Sequence, residues 1–261
     1  MPELPEVETV VRSLAPHLIG RRIVQASFTS KFVTPGDRRK LASRLAGRTI
    51  VKIERRGKFI LLALDEGMLV VHLGMTGRLL LDGAEAGEHT YGVFGLDHGI
   101  LRYQDPRQFG RIEWNPKRIA KLGPEPLEIG VEEFSKRLRA RKARVKPLLL
   151  NQSFLAGVGN IYADEALFAA SIHPLAVASR LSAARAAKLH QAIRDVLTLA
   201  IEHRGSSISD YVDGKGERGW FQVLHNVYGR EGQPCSRCGS SIRKIIAAGR
   251  GTHFCPKCQK K

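Results

Sequence analysis

The chain has 261 residues, 43% of them hydrophobic, and carries 42 lysines and arginines against 25 aspartates and glutamates, a formal net charge of +17. That hydrophobic share suffices to bury cores and speaks against a disordered basic tail, while no run approaches the ~18 consecutive apolar residues of a membrane span. A folded chain with such an excess of cations points to a polyanionic partner.

The start, Met1-Pro2-Glu3-Leu4-Pro5-Glu6, is acidic where a signal peptide is basic, so the protein is expected to stay in the cytoplasm. After Pro5, Val7, Val10, Val11, Leu14 and Leu18 recur at the spacing of one buried helical face, and Gly20 stops the helix. The pattern then predicts strands at 23–28, 49–55, 59–64, 69–73, 78–81, 100–103 and 111–114, with a helix at 38–45. Short strands without long intervening helices suggest a sandwich or barrel. The proline-rich stretch 122–126 reads as a linker, because helical patterning follows it at 131–141, 146–155, 162–170 and 182–204. Ser182 suits the N-cap of the last helix and Gly205 lies just past its end. A third piece begins near Tyr228. The expected class is α+β, with domains at 1–122, 131–227 and 228–261.

That third piece holds all four cysteines, Cys235-x2-Cys238 and Cys255-x2-Cys258, separated by 16 residues. Each pair presents two thiolates to one ion, and four close a structural Zn2+ site with no open coordination position. Two disulfides or a redox pair are the alternatives, and a reducing compartment favours zinc. Arg250, between Gly249 and Gly251, is placed near a hairpin tip where it is either a solvated side chain or a phosphate contact. Seven of the eleven residues from Lys136 to Lys146 are basic. Such a run is usually a solvated helix face, yet Gly157-Val158-Gly159-Asn160 follows, a turn that opens a helix with bare N–H groups able to receive an anion.

Gly214-Lys215-Gly216-Glu217-Arg218-Gly219 matches a dinucleotide fingerprint but lacks the strand, helix and parallel sheet it needs, so it reads as a mobile loop and no nucleotide cofactor is expected. At the N-terminus, removal of Met1 would expose Pro2 as a secondary amine with a pKa near ~8, a nucleophile for a sugar aldehyde carbon. Glu3 and Glu6 supply carboxyls for general acid or base work. Composition alone favours the plainer reading, in which these prolines and glutamates cap a helix.

The motifs Pro2-Glu3-Leu4-Pro5-Glu6-Val7-Glu8-Thr9, Arg56-Gly57-Lys58, His72 to Gly77, Asp105-Pro106-Arg107-Gln108-Phe109-Gly110 and Gly157 to Tyr162, together with the four cysteines, resemble those of bacterial formamidopyrimidine-DNA glycosylases, in the same order. The resemblance implies an N-terminal β-sandwich with a catalytic helix, a helix-two-turn-helix domain and a zinc finger, with DNA across a cleft. It implies excision of oxidised purines such as 8-oxoguanine and formamidopyrimidines, followed by β- and δ-elimination at the abasic site. Pro2 would attack C1′, Glu3 would act as general acid at the sugar, and Lys58 would assist while contacting phosphate. Asn160, Arg250 and His89 would grip phosphates, and Glu6 would belong to the same DNA-facing set. Met75, Arg107 and Phe109, of which Met75 and Phe109 otherwise read as core, would fill the hole left by the extruded base. The loop at 211–220 would close over that base. Gln108 stands where the family commonly has Arg, and Tyr91 where a second histidine is usual. The sister type that prefers oxidised pyrimidines usually begins Pro-Glu-Gly-Pro-Glu, so Leu4 favours the purine enzyme. A non-catalytic zinc-ribbon nucleic-acid binder would account for the charge and the cysteines but not for Pro2 and Glu3 with Lys58. The partner expected is double-stranded DNA with oxidised bases, met by a monomer.

Overall fold

Leu4 to Leu18 form the first helix, α1, because Pro5 presets the first turn and Leu4, Val7, Val10, Val11, Leu14 and Leu18 all fall on the buried face. The structure is a computed structural model and describes residues 1–82, 87–208 and 211–260. The remaining helices are α2 (Arg38–Leu45), α3 (Val131–Arg139), α4 (Val145–Leu150), α5 (Asn160–Ala169) and α6 (Ala183–Glu202). The strands are β1 (Ile23–Phe28), β2 (Ile50–Arg56), β3 (Phe59–Leu64), β4 (Met68–His72), β5 (Arg78–Leu81), β6 (Thr90–Leu96), β7 (Ile100–Gln104), β8 (Arg111–Trp114), β9 (Arg243–Ala247) and β10 (Arg250–Phe254). No helix among the described residues is long and apolar enough to cross a membrane.

The chain divides into two compact units, one of residues 1–120 and 201–222, the other of residues 121–200 and 223–261. In the first unit two antiparallel four-stranded sheets, ordered β1-β6-β7-β5 and β2-β3-β4-β8, share one core. Phe28, Phe94, Leu101 and Tyr103 come from the first sheet and Ile53, Ile60, Leu62 and Val71 from the second, with the apolar face of α1 closing the core. This is the sandwich the sequence suggests, with one strand more. The pattern does not predict strand β6, because Gly92 and Gly95 read as turn punctuation. They are spacing devices: a Cβ on Gly92 would lie 3.0 Å from Ile112 Cδ1, and one on Gly95 3.0 Å from Gln25 Cγ.

In the second unit α4 stops at Leu150, five residues short of the predicted end. Side chains compete there for the backbone. Asn151 Oδ1 accepts from Ser153 N–H, and the Gln152 amide donates to the Leu150 and Val158 carbonyls while accepting from Gly157 N–H. The result is a pair of turns between α4 and α5. The stretch 122–126 is no slack linker: Gly123 N–H donates to Gln152 O, Ala156 N–H to Pro124 O, and Glu125 is buried. Helix α6 has the expected cap, Ser182 Oγ accepting from Arg185 N–H, and Gly205 follows its end at φ +77°. By their contacts, residues 201–222 group with the sandwich unit.

Candidate functional site

Pro2 is buried, Glu3 is 2% exposed and Lys58 6% exposed, so the three residues given the chemistry are held inside the first unit. The peptide that carries Pro2 is fixed by Glu6. One carboxylate oxygen of Glu6 accepts from Glu3 N–H at 2.8 Å and the other from Ser206 N–H at 2.7 Å. Gly205 is required beside it, since a Cβ there would lie 2.6 Å from Glu6 Oε1. Tyr211 adds a bond from its hydroxyl to the Glu6 carbonyl, and burial first, then the Glu6 charge, pushes that phenol far above its ordinary pKa. Glu6 is therefore an orienting cap for the N-terminal turn.

Lys58 is tied to the same helix through Glu8. The Glu8 carboxylate pairs with Arg12 at 2.7 Å and with Arg55 at 2.8 Å, and Arg55 Nη1 donates to the Gly57 carbonyl in the turn before Lys58. Burial works to raise the Glu8 pKa, but the two guanidinium groups outweigh it and hold the carboxyl below its usual range. On the other side of Lys58, His72 packs against Phe59 and is pushed down to about 4, by burial first and then by the charges of Arg118, Lys58 and Arg111. It is neutral at pH 7, and its Nδ1 accepts from Gly74 N–H.

Gly74 begins the loop of Met75. A Cβ on Gly74 would come within 2.5 Å of Gly110 N, and one on Gly110 within 1.6 Å of the Tyr103 hydroxyl, so the loop at 73–77 and the loop at 105–110 pack backbone against backbone. Asp105 fastens them. Fully buried, it accepts from Thr76 Oγ1 at 2.6 Å, Gly110 N–H at 2.8 Å, Arg107 N–H and the Tyr103 hydroxyl. Burial and this charge raise the Tyr103 pKa, keeping it a donor. The Asp105 N–H donates to the His89 carbonyl, which brings the exposed His89 to the same rim. Met75 is 37% exposed and Phe109 51%, with the Arg107 guanidinium 4.7 Å above the Phe109 ring. Neither is core, which fits wedges that enter a base stack. Gln108, at φ +53°, accepts from Ser30 Oγ at 2.5 Å, so a neutral bond stands where an arginine would bring charge.

The loop at 211–220 is organised around buried Asp213. This residue accepts from Lys215 and Glu217 N–H and pairs with Arg204, while Gly214 bonds to both Ser13 and Leu81. Through Gly214 the loop is tied to α1 and β5. Among the described residues no strand directly precedes it, and a 3-10 turn follows at Phe221–Leu224, so the G-x-G-x-x-G match lacks the strand and helix of a nucleotide-binding turn.

In the second unit the phosphate-gripping candidates meet at Gly251. Asn160, first residue of α5, donates from Nδ2 to the Gly251 carbonyl at 3.0 Å, and Arg250 is the exposed residue before it, opening β10 after the turn Ala248-Gly249. Gly157 N–H is already taken by Gln152, so the glycine turn positions Asn160 more than it offers free donors. Lys146 is not part of the cationic surface to which its run assigned it. It is fully buried, 2.7 Å from Asp164, and donates to Thr252 Oγ1 and Gly251 O, while Asp164 accepts from His253 N–H. An ion pair out of water survives only with its remaining valences filled, and here they lock β10 to α4 and α5. Glu165 similarly accepts from the N–H groups of Asn226, Val227 and Tyr228, although burial raises its pKa. Sequence reasoning assigns no role to Glu8, Asp105, Asp164 or Glu165. The partners that give them their role, Arg55, Thr76, Lys146 and Asn226 to Tyr228, lie well apart from them along the chain, and the only local signal is a carboxylate inside an otherwise apolar or glycine-rich motif.

The four cysteine sulfurs lie within 4.8 Å of one another, with Cys238 and Cys255 at 3.5 Å and Cys235 and Cys258 at 3.9 Å. Disulfides would bring pairs to about 2 Å, whereas tetrahedral Zn–S bonds of about 2.3 Å place sulfurs roughly 3.8 Å apart. The cluster fits one structural zinc held by Cys235, Cys238, Cys255 and Cys258, with Ile242, Phe168 and Val227 packed beside it.

Comparison with known proteins agrees with this geometry. Residues 1–112 match the formamidopyrimidine-DNA glycosylase N-terminal domain, residues 122–212 the H2TH domain of the same proteins, and residues 232–261 a zinc finger found in FPG and IleRS. A formamidopyrimidine-DNA glycosylase of Solibacter usitatus is 56% identical over the full length of both chains. A Lactococcus lactis FPG mutant in complex with a Fapy-dG containing DNA superposes with a TM-score of 0.92 at 38% identity, covering all of both chains. The MutM (FPG) protein of Thermus thermophilus gives 0.90 at 42% identity, over 99% of this chain and 98% of that one.

Proposed function

The chain belongs to the formamidopyrimidine-DNA glycosylase family and is a DNA glycosylase of base excision repair; from that premise we propose that Pro2 is its nucleophile and that it is also an abasic-site lyase, with oxidised purines as its main substrates. The observation that carries this reading is the fixing of the Pro2-Glu3 peptide by Glu6, through Glu3 N–H and Ser206 N–H. A helix cap made only for stability needs no second partner from residue 206. Once Met1 is removed, the Pro2 nitrogen lone pair attacks C1′ of the extruded nucleotide and the bond from C1′ to the base breaks. Glu3 donates a proton at the sugar, whose ring opens to an iminium. The positive nitrogen then acidifies the C2′ protons, so the 3′ phosphate leaves by β-elimination and the 5′ phosphate by δ-elimination. Lys58 supports these steps as a cation beside phosphate.

Arg250, Asn160 and His89 grip backbone phosphates, while Met75, Phe109 and Arg107 fill the vacated stack, the guanidinium facing the orphaned base. The bound zinc shapes the segment that presents Arg250 and takes no part in the reaction. Borohydride reduction in the presence of duplex DNA containing 8-oxoguanine tests the mechanism. Protein lacking Met1 should be trapped covalently, and Pro2→Gly or retention of Met1 should remove most of the trapping. Failure to trap the demethionylated protein would sink the nucleophile assignment. Matched duplexes with an oxidised pyrimidine test the lesion class, where faster pyrimidine cleavage would favour the sister-type preference.

A further inference from the structure

The second unit holds a concave cationic feature that is separate from the residues assigned to the lesion and its phosphates. A cavity of about 400 Å3 is walled by Arg144, Arg180 and Arg185 and floored by Leu175, Val177 and Leu181. Among the described residues no acidic side chain lines it, and neither do Asn160, Arg250 or the cysteines. Arg12, Arg55, Arg118 and Arg204 are each paired with a carboxylate. Here Arg144 Nη1 donates to the Leu175 carbonyl at 2.7 Å and Arg185 Nη2 to the Lys260 carbonyl at 3.4 Å, bonds that aim the guanidinium groups without neutralising them. Arg180 is exposed and has no side-chain partner among the described residues.

The frame is built and not loose. Arg144 bridges Val177 in antiparallel fashion, Val145 N–H donates to Ala176 O, Ala178 N–H to Ala143 O, and Ser179 N–H to Arg141 O. Three cations converging over an apolar floor repel one another until an anion joins them. The complementary ligand carries several oxygens and at least two charges in a small volume, because each guanidinium offers a planar fork of donors. Carboxylates are too weakly charged to satisfy three forks, whereas a phosphate group has the oxygens and the charge.

We propose that this cavity is a phosphate-group site separate from the lesion-processing residues, filled either by free polyphosphate or by a backbone phosphate of duplex DNA. It does not depend on the catalytic reading. Titration of the zinc-loaded full chain with inorganic pyrophosphate, followed through arginine Nε–H NMR signals, tests it directly. Arg144, Arg180 and Arg185 should shift along one saturating curve, which Arg180→Gln weakens about tenfold, the loss of one charge-assisted bond, and Arg180→Lys partly restores. Binding of an undamaged duplex at several salt concentrations separates the sources. If DNA supplies the phosphate, Arg180→Gln reduces the slope of log affinity against log salt by about 0.9; if free polyphosphate does, the slope stays and only the pyrophosphate curve moves. Arginine signals that do not move together, with a salt slope that Arg180→Gln leaves unchanged, overturn the proposal.

Discussion

Glu8 and Arg55 join the helix that follows Pro2 to the turn that carries Lys58, so one ion pair ties the proposed nucleophile's segment to that of the proposed phosphate-binding cation. Glu8→Gln should lower single-turnover excision about tenfold while leaving DNA affinity nearly unchanged, since it displaces Lys58 without removing it. Equal losses in both would argue that the pair only stabilises the fold. His72 yields a pH prediction. Its folded pKa, about 4, lies below the unfolded value of 6.5, so the unfolded chain binds more protons between those limits and stability rises with pH across them. Acidification from pH 6.5 to 4 should cost up to about 3 kcal/mol at this histidine, and His225, also pushed down to about 4 by burial, acts in the same sense. Urea midpoints measured between pH 4 and 7 should show this slope, and His72→Gln should flatten it. At this scale the sequence exposes Pro2, Glu3 and Lys58 through their motifs. It hides the clamp on Glu6, because Ser206 lies 200 residues away and a single chain carries no sign of such pairings.

Elements are legible where periodicity is clean, as in α1 and α6, and illegible where side chains or glycines act against it. Strand β6 is lost to Gly92 and Gly95, and the end of α4 to Asn151 and Gln152, whose amides capture backbone groups that a helix would have used. The wedge loops depend on such glycines. Gly74→Ala combines a φ of +63° with a Cβ that meets Gly110 N at 2.5 Å, and should cost about 2 kcal/mol or more. Denaturant unfolding measures the cost, and base extrusion followed by 2-aminopurine fluorescence should slow in parallel. The zinc hairpin allows a gain instead. Ala248 sits at φ +50° and Gly249 at φ +68°, a two-residue turn of the kind that favours Asn-Gly. Ala248→Asn should stabilise the hairpin by roughly 0.5–1 kcal/mol, read as slower loss of zinc to a chelator.

On the scale of the whole molecule, the charge of +17 shows from composition that the partner is polyanionic, but composition cannot sort the cations. Lys146 is fully buried, whereas Arg107, Arg250 and Arg180 are exposed. Burying one lysine of a basic run against Asp164 is a tertiary event with no local signature. Removal of zinc should abolish DNA binding while the sandwich unit keeps its β-sheet circular dichroism, since the sulfurs pack with Phe168, Val227 and Ile242 and the sandwich has a core of its own. Affinity that persists after verified metal loss would count against the finger as a DNA contact. Arg250→Ala should also flatten the salt dependence of binding by about one phosphate contact.

The return of residues 201–222 to the sandwich unit has a temporal meaning. A ribosome delivers Pro2, Glu3 and Lys58 first, but Ser206 and Tyr211, which hold Glu6, emerge only after the helical segment has been made. The N-terminal turn therefore stays unset through most of synthesis, and a polypeptide halted at residue 120 carries Pro2 without the grip on Glu6 that Ser206 and Tyr211 supply. On the proposed reading of Pro2 as nucleophile, late closure keeps unfinished chains from reacting with DNA.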